Sequence, residues 1–209
     1  MLHLEIFNAK RKNAFETLNK HDLGFVLGGG TAIALQLGHR ISYDFDFFSD
    51  KPIKKNLLNK CKEFLKIEKI LIDTIDELTF TDSNGIKFTF LYYPFKNLYK
   101  SIDTKGCVQF FDLKDLACDK AHTIGRRAQY RDYVDLYFLI KNGVDFKKLI
   151  NDSIKKFTNS FNTKLFFGQL TYLDDLKDIG EIKFLDNKEI TKNDIECFFN
   201  DLVAKNIDL

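Results

Sequence analysis

The stretch GGGTAIALQLGHRISYDFDFF, residues 28–48, decides how the first part of this chain folds. A short apolar run, residues 25–27, precedes the glycines and is typical of a buried strand. Residues 31–37 have the alanine and leucine content of a helix, and Gly38 is placed to end it. Residues 43–47 then alternate aromatic and acidic side chains, which predicts a strand with one apolar and one acidic face.

The glycines between the first strand and the helix are suited to binding phosphate. Gly28, Gly29 and Gly30 let a ligand approach the backbone closely, and Thr31 can cap the helix or bond to a phosphate. The N–H groups and the dipole at a helix N-terminus both favour an anion. A tight strand-to-helix turn without any ligand accounts for the same residues equally well.

Asp44 and Asp46 form the acidic face of the second strand. Side chains at alternate strand positions lie roughly 6–7 Å apart, so a bound Mg²⁺ would remove their mutual repulsion. A solvated acidic face is the alternative, but the aromatic neighbours favour partial burial, where a pair without a cation is unfavourable. Arg40 is placed either to pair with one of these carboxylates or to bind a triphosphate.

A second group of charges lies in residues 120–135. Lys120 falls on one predicted helix, and Asp132 and Asp135 share a face of the next, being three residues apart. Together with Arg127 and Arg131, these side chains could neutralise charge on a transferring phosphoryl group. A salt-bridged helix pair with a purely structural role fits them as well.

The third carboxylate that two-metal polymerase-like sites usually take from a neighbouring strand is missing. The expected strand, residues 86–91, has Thr89 where an acid could stand. We therefore expect Asp132 or Asp135 to supply that charge. The missing acid also favours an alternative, a module that binds nucleotide or RNA without turning it over.

The remaining elements divide the chain into a mixed α/β part, residues 1–111, and a helical part, residues 112–209. An opening helix spans the apolar positions of residues 4–18, and a basic helix follows Pro52. Further strands are predicted at residues 67–75, 77–81, 86–93 and 108–111, with a hairpin turn at 82–85. Further helices are predicted at residues 115–128, 130–141, 145–157, 163–173 and 192–204.

Composition limits the classes of function. A net charge of +2 excludes a polycation, so an RNA partner needs a local patch of lysines. The candidates are Lys51, Lys54, Lys55, Lys60 and Lys62, although a solvated helix face explains them too. The four cysteines form no CxxC pair, and no apolar run approaches a membrane span, which predicts reduced, mostly buried thiols in a cytoplasmic protein without a membrane partner.

Residues 28–48, together with the later pattern K-x-x-x-x-x-R…R-D-x-x-D-L-Y, resemble the AbiEii/AbiGii toxin group of the nucleotidyltransferase superfamily, which includes MenT-type toxins. The resemblance covers residues 20–50 and 112–140. It implies an α/β (α+β) fold, with a polymerase-β-like minimal nucleotidyltransferase core on a mixed sheet and a helical C-terminal half that completes the active site. It also implies transfer of a nucleotide from an NTP to an acceptor hydroxyl, which is a tRNA 3′ end for some members.

The matching motifs also imply roles for single residues. Gly29, Gly30 and Thr31 would cradle the triphosphate, Asp44 and Asp46 would bind Mg²⁺, and Lys120 would contact the phosphates. Asp132 or Asp135 would complete the site. An antitoxin encoded nearby is the expected partner. Transfer to a small molecule, as in antibiotic-modifying enzymes, is a further alternative.

Overall fold

The computed structural model describes residues 2–124, 126–127, 129–174, 176, 181–185 and 188–206. The chain separates into two compact units, Met1–Asp112 and Leu113–Leu209.

The first unit is built on a six-stranded mixed sheet. Its helices are α1 Ala9–Leu18, α2 Gly29–Leu37 and α3 Leu57–Lys62. Its strands are β1 Val26–Leu27, β2 Phe45–Ser49, β3 Ile67–Asp73, β4 Glu77–Asp82, β5 Lys87–Tyr92 and β6 Gln109–Phe110. The strand order is β3-β4-β5-β2-β1-β6, with β2 parallel to β5, β1 parallel to β6 and the other neighbours antiparallel. The predicted mixed α/β architecture is confirmed.

Phenylalanines fill the core on one face of this sheet. Phe45 stacks on Phe88 with ring centroids 5.4 Å apart, and Phe88 stacks on Phe80 at 5.3 Å. All three side chains are fully buried, and each such burial contributes about 1.5–3 kcal/mol. Because side chains alternate along a strand, burying Phe45 and Phe47 directs Asp46 to the opposite face. The core therefore fixes the orientation of a predicted site residue.

Strand β2 begins later than the alternation predicts, and tertiary contacts explain the shift. Asp44 lies one residue before the strand. The Thr31 hydroxyl of α2 donates a hydrogen bond to the Asp44 carbonyl oxygen. Nε of Arg11, on α1, donates to the Tyr43 carbonyl oxygen at 3.3 Å. These carbonyls are bound by side chains of two helices, so the sheet ladder starts only at Phe45.

Two predicted helices of the first unit are also shorter than expected. Residues Leu4–Ile6 form a 3-10 turn, and α1 starts at Ala9 because the Asn8 side chain accepts a hydrogen bond from the Arg11 N–H and caps it. Helix α3 begins at Leu57, well after Pro52. The hairpin turn at residues 82–85 is as predicted, since the Gly85 N–H donates to the Asp82 carbonyl at 2.9 Å.

The second unit is helical, as the sequence predicts. It contains α4 Leu113–Ile124, α5 Tyr130–Lys141, α6 Phe146–Phe157, α7 Thr163–Thr171 and α8 Lys192–Ala204. Asp145 caps α6 by accepting from the Lys148 N–H, and Thr191 and Asp194 form a capping box on α8. Gly125 and Ala128, which bear on the predicted end of the first of these helices, lie outside the described residues.

The four cysteines are free thiols. Cys61 and Cys118 are buried, and burial raises the pKa of each to about 12. Cys107 and Cys197 are exposed, so the prediction of mostly buried thiols holds for half of them. Across the described residues, no helix is both long enough and apolar enough to cross a bilayer.

Candidate active site

The glycine turn and Asp46 are in direct contact. The Gly28 N–H donates a hydrogen bond of 2.9 Å to the Asp46 carbonyl oxygen. Gly29 has φ +63°, and a β-carbon built there would lie 2.8 Å from Oδ2 of Asp46. Only glycine combines that backbone conformation with so close an approach. The structure therefore brings the phosphate-binding candidate and one of the metal-binding candidates to one place.

The N-terminus of α2 presents backbone N–H groups beside this carboxylate. Gly28 is the N-cap residue, and among the described residues no side chain caps this end. The N–H groups of the first helical turn have no partner within a helix, which leaves those of Gly29 and Gly30 available to an anion. Thr31 is buried and its hydroxyl lies 2.7 Å from Oγ of Ser42. With its bond to the Asp44 carbonyl, this hydroxyl anchors the chain that enters β2.

Asp44 forms an ion pair that the sequence analysis missed. Nζ of Lys87 lies 3.0 Å from Oδ2 of Asp44, and both side chains are more than a third exposed. In the parallel register of β2 and β5, Phe45 pairs with Phe88 and Asp46 with Thr89, which sets Lys87 beside Asp44. The sequence shows that Lys87 and Thr89 share one face of β5. Only the register of β5 with β2 shows which aspartate each of them lies beside.

Thr89 lies beside Asp46, at the position where a two-metal site of this kind would usually have a third acid. It is buried, with 8% of its surface exposed, and its partner on the other side is Thr79 of β4. Within the described residues, no group of three or more His, Cys, Asp and Glu side chains is arranged to hold a metal ion. The two aspartates nevertheless suit Mg²⁺, which is commonly bound by one or two carboxylates together with substrate phosphates.

Arg40 is buried, and its Nη1 donates a hydrogen bond of 3.0 Å to the Ile41 carbonyl oxygen. This contact holds the loop between α2 and β2. Contact between Arg40 and a bound triphosphate stays a prediction.

In the second unit, Lys120 joins the two predicted aspartates. Its Nζ lies 2.7 Å from Oδ1 of Asp132 and 2.7 Å from Oδ2 of Asp135, and both carboxylates are fully buried. Nε of Arg127 donates to Oδ2 of Asp132 at 3.0 Å. Burial alone would raise the pKa of Asp132, but Lys120 and Arg127 outweigh it and lower that pKa. Lys120, Arg127 and the two aspartates therefore form a charged, internally bonded cluster.

Arg131 differs from the other predicted cations of this unit. It is exposed, and its Nε donates to Oε1 of Gln129 at 3.1 Å. A further cluster lies elsewhere in the unit: Nζ of buried Lys156 contacts Oδ1 of buried Asp115 at 3.0 Å and Oδ1 of half-buried Asp119 at 2.7 Å. Among the described residues of the helical half there are thus two such lysine–aspartate clusters, of which the sequence analysis singled out one.

Comparison with known proteins decides the family. Residues 15–100 and 93–208 match the family model described as nucleotidyl transferase AbiEii toxin, Type IV TA system. The chain belongs to the AbiEii family. Its members are nucleotidyltransferases, so the enzyme class and the resemblance drawn from residues 28–48 and the later motif are confirmed.

This AbiEii protein is also similar to a protein of known sequence and to a solved structure. An uncharacterized protein of Aquifex aeolicus (strain VF5) is 34% identical over 159 residues, which are 74% of this chain and 76% of that protein. The crystal structure of a proposed nucleotidyltransferase from H. pylori superposes with a TM-score of 0.58 at 20% identity, over 97% of this chain and 98% of that one. This likeness shows a shared fold.

A more distant solved structure is MenT4, a nucleotidyltransferase toxin from Mycobacterium tuberculosis H37Rv. Its TM-score is 0.46 at 17% identity, and the alignment covers 75% of this chain and 61% of that one.

Proposed function

We propose that this AbiEii protein is the toxin of a toxin–antitoxin pair and transfers a nucleotide from an NTP to a hydroxyl group of RNA, with Mg²⁺ as cofactor. The observation that carries the proposal is the contact between Gly29 and Asp46. It joins a polyphosphate-binding feature to a metal-binding feature, and nucleotidyl transfer needs both at one place.

The glycine turn would hold the polyphosphate. Backbone N–H groups of Gly29 and Gly30 at the start of α2 would donate to its oxygens, assisted by the helix dipole. The absence of a side chain at Gly29 lets this backbone lie close to the Asp46 carboxylate, because a β-carbon there would lie 2.8 Å from Oδ2 of Asp46. The acceptor hydroxyl would then attack the α-phosphorus, the bond to the β-phosphate oxygen would break, and pyrophosphate would leave.

Asp44 and Asp46 would hold Mg²⁺, which supplies neutralisation of the polyphosphate charge and acidification of the attacking hydroxyl. Asp46 is held in place by the pairing of β2 with β5 and by its contact with Gly29. Asp44 is held less firmly and pairs with Lys87. That pair offsets the repulsion between the two carboxylates, and Lys87 would be free to turn to a phosphate oxygen when a cation takes its place.

An RNA acceptor is supported by exposed lysines close in sequence to β2. Lys51, Lys54 and Lys55 precede α3, and Lys60 and Lys62 lie on it; all five are exposed. Such lysines contact phosphates without reading sequence, and their contribution to affinity falls with salt. Lys120, Asp132 and Asp135 are proposed to serve transfer as well as the stability of their unit, and Arg40, Arg127 and Arg131 to contact phosphates.

The test is transfer of a labelled nucleotide. The purified protein is incubated with each α-labelled NTP, MgCl₂ and total tRNA, and the label in RNA is measured. We expect incorporation that EDTA abolishes and that Asp44→Asn and Asp46→Asn each reduce about 10²–10³-fold. Asp76→Asn, an exposed acid of the same unit, is the control and should keep full activity.

Label recovered in a small molecule and absent from RNA would contradict the RNA acceptor. Lys54→Gln together with Lys55→Gln should raise the KM for RNA and flatten its salt dependence while leaving the KM for NTP unchanged. Growth arrest on expression, relieved by a neighbouring gene product, would test the pairing with an antitoxin.

A further inference from the structure

A cleft of about 460 Å³ opens beside the glycine turn in the first unit. Its walls come from the start of β1, the end of β2, the segment after β5 and the residue after β6. The lining includes four aromatic rings and two charged groups: Phe48, Tyr93, Phe95, Phe111, Asp50 and Lys96. This volume lies within the range of sites that hold small organic ligands.

The cleft adjoins the glycine turn of the candidate active site through Phe48. Asp46 and Phe48 are alternate residues of β2, so their side chains lie on the same face of the sheet. A β-carbon at Gly29 would meet Asp46, and one at Gly28 would lie 2.6 Å from Cε2 of Phe48. Consecutive glycines thus contact the metal-binding candidate and the first wall of the cleft.

The lining suits a flat aromatic ligand. Phe48 meets Tyr93 edge to face at 5.4 Å and 69°, and Tyr93 meets Phe95 at 5.2 Å and 67°. These three side chains are half-buried, so part of each remains accessible. Stacking of a base on an aromatic side chain is worth about 1–3 kcal/mol. The carboxylate of Asp50 makes the cleft unsuitable for a bare polyphosphate, whereas Lys96 at the exposed side can meet a single phosphate.

We propose that this aromatic cleft binds a nucleobase of the substrates by stacking. The inference rests on the proposed function, because the glycine turn would hold the polyphosphate directly beside it. The base can come from the donor NTP or from the nucleotide that carries the acceptor hydroxyl. Both sources present the same chemistry, a planar heteroaromatic ring linked to a sugar phosphate, and the experiment separates them.

The chain has no tryptophan, which allows a single reporter. Phe95→Trp places an indole in the cleft, and Lys96→Trp places one at its exposed side if the first variant fails to fold. Tyr172→Trp, at a 53% exposed tyrosine of the second unit, is the control. Each variant is titrated, with MgCl₂ present, with the four NTPs, with a six-nucleotide RNA and with inorganic triphosphate.

We expect the NTPs or the RNA to quench cleft tryptophan fluorescence by at least a third, while inorganic triphosphate, which has no base, leaves it unchanged. The control should respond to none of them. Quenching by NTP assigns the cleft to the donor base, and quenching by RNA alone assigns it to the acceptor. Equal emission with every probe in both cleft variants would overturn the proposal.

A kinetic measurement separates this proposal from the proposed function. Phe95→Leu should raise the KM for the substrate whose base occupies the cleft about tenfold and leave the other KM unchanged. If the wild type is active and Phe95→Leu changes neither KM, the proposal for the cleft is overturned. The proposal of nucleotidyl transfer is then unaffected. Quenching in a cleft tryptophan variant, together with a wild type that transfers no nucleotide, would overturn the proposed function alone.

Discussion

Oδ2 of Asp46 occupies the space into which a side chain on Gly29 would project, 2.8 Å from the position of its β-carbon. Gly29 also has φ +63°, a conformation that residues with a side chain seldom adopt. Two separate constraints, one steric and one conformational, therefore require glycine where the helix begins beside the acidic strand.

Gly29→Ala should impair transfer more than it impairs folding. The new methyl group must displace the Asp46 carboxylate, and a misplacement of about 1 Å can reduce a rate roughly 100-fold. Gly85→Ala is the matched control, because Gly85 has φ +74° and nothing within 4 Å of an added β-carbon. Both variants should lose about 1–2 kcal/mol of unfolding free energy, measured in urea, from the left-handed backbone. Equal transfer rates in the two variants would contradict the role given to Gly29.

Thr89→Asp should create a stronger metal site. The register places residue 89 beside Asp46, so a third carboxylate there would face the same cation. Because Thr89 is buried, the new charge should destabilise the metal-free protein, and Mn²⁺ should restore the melting temperature. We expect Mn²⁺ to bind about tenfold more tightly to Thr89→Asp than to Thr89→Asn, which has the same shape without the charge. Equal Mn²⁺ affinity would place the cation elsewhere.

Lys120→Met should strongly destabilise the second unit. It leaves Asp132 and Asp135 buried without the ammonium group that contacts both, and breaking such a buried pair costs about 3–5 kcal/mol. Lys156→Met removes the corresponding lysine from Asp115 and Asp119 and should cost a similar amount. Urea unfolding measures both.

Variants of the two lysine–aspartate clusters can distinguish a functional role from a structural one. We expect Asp132→Asn or Asp135→Asn to lower transfer at least tenfold when rates are corrected for the folded fraction. Asp115→Asn, from the other cluster, should lower only the folded fraction. Full corrected activity in both Asp132→Asn and Asp135→Asn would reduce the first cluster to a structural role.

His122 should make stability depend on pH below 6.5. Burial, with Arg126 and Lys156 nearby, lowers the pKa of His122 from 6.5 to about 4. The neutral ring also accepts a hydrogen bond of 3.0 Å from Nε of Arg126. Because the unfolded chain binds the proton more readily, stability should fall as pH decreases from 6.5 to about 4, by roughly 1–3 kcal/mol.

His122→Gln cannot titrate and should show a flatter dependence in that window. Asp132 does not interfere, since its pKa is lowered from 3.8 and it therefore loses its contribution only at more acidic pH. Parallel curves of wild type and variant between pH 6.5 and 4 would show that His122 is not the group responsible.

Most elements could be predicted because their signals are local. The helices of the second unit follow apolar periodicity and capping residues such as Asp145, and the hairpin at residues 82–85 follows from its Asn-Gly pair. The starts of α1 and β2 could not be predicted from local signals. They depend on the Asn8 cap and on long-range hydrogen bonds from Arg11 and Thr31.

The sequence by itself determined the glycine turn, the acidic pair and the helical second half, because strand alternation and helix propensity act between near neighbours in the chain. Only the tertiary structure decided that Asp46 meets Gly29, that Lys87 pairs with Asp44 and that Thr89 lies beside Asp46. Those relationships depend on strand order and register, which arise from the packing of phenylalanines distant in sequence, Phe45, Phe80 and Phe88, into one core.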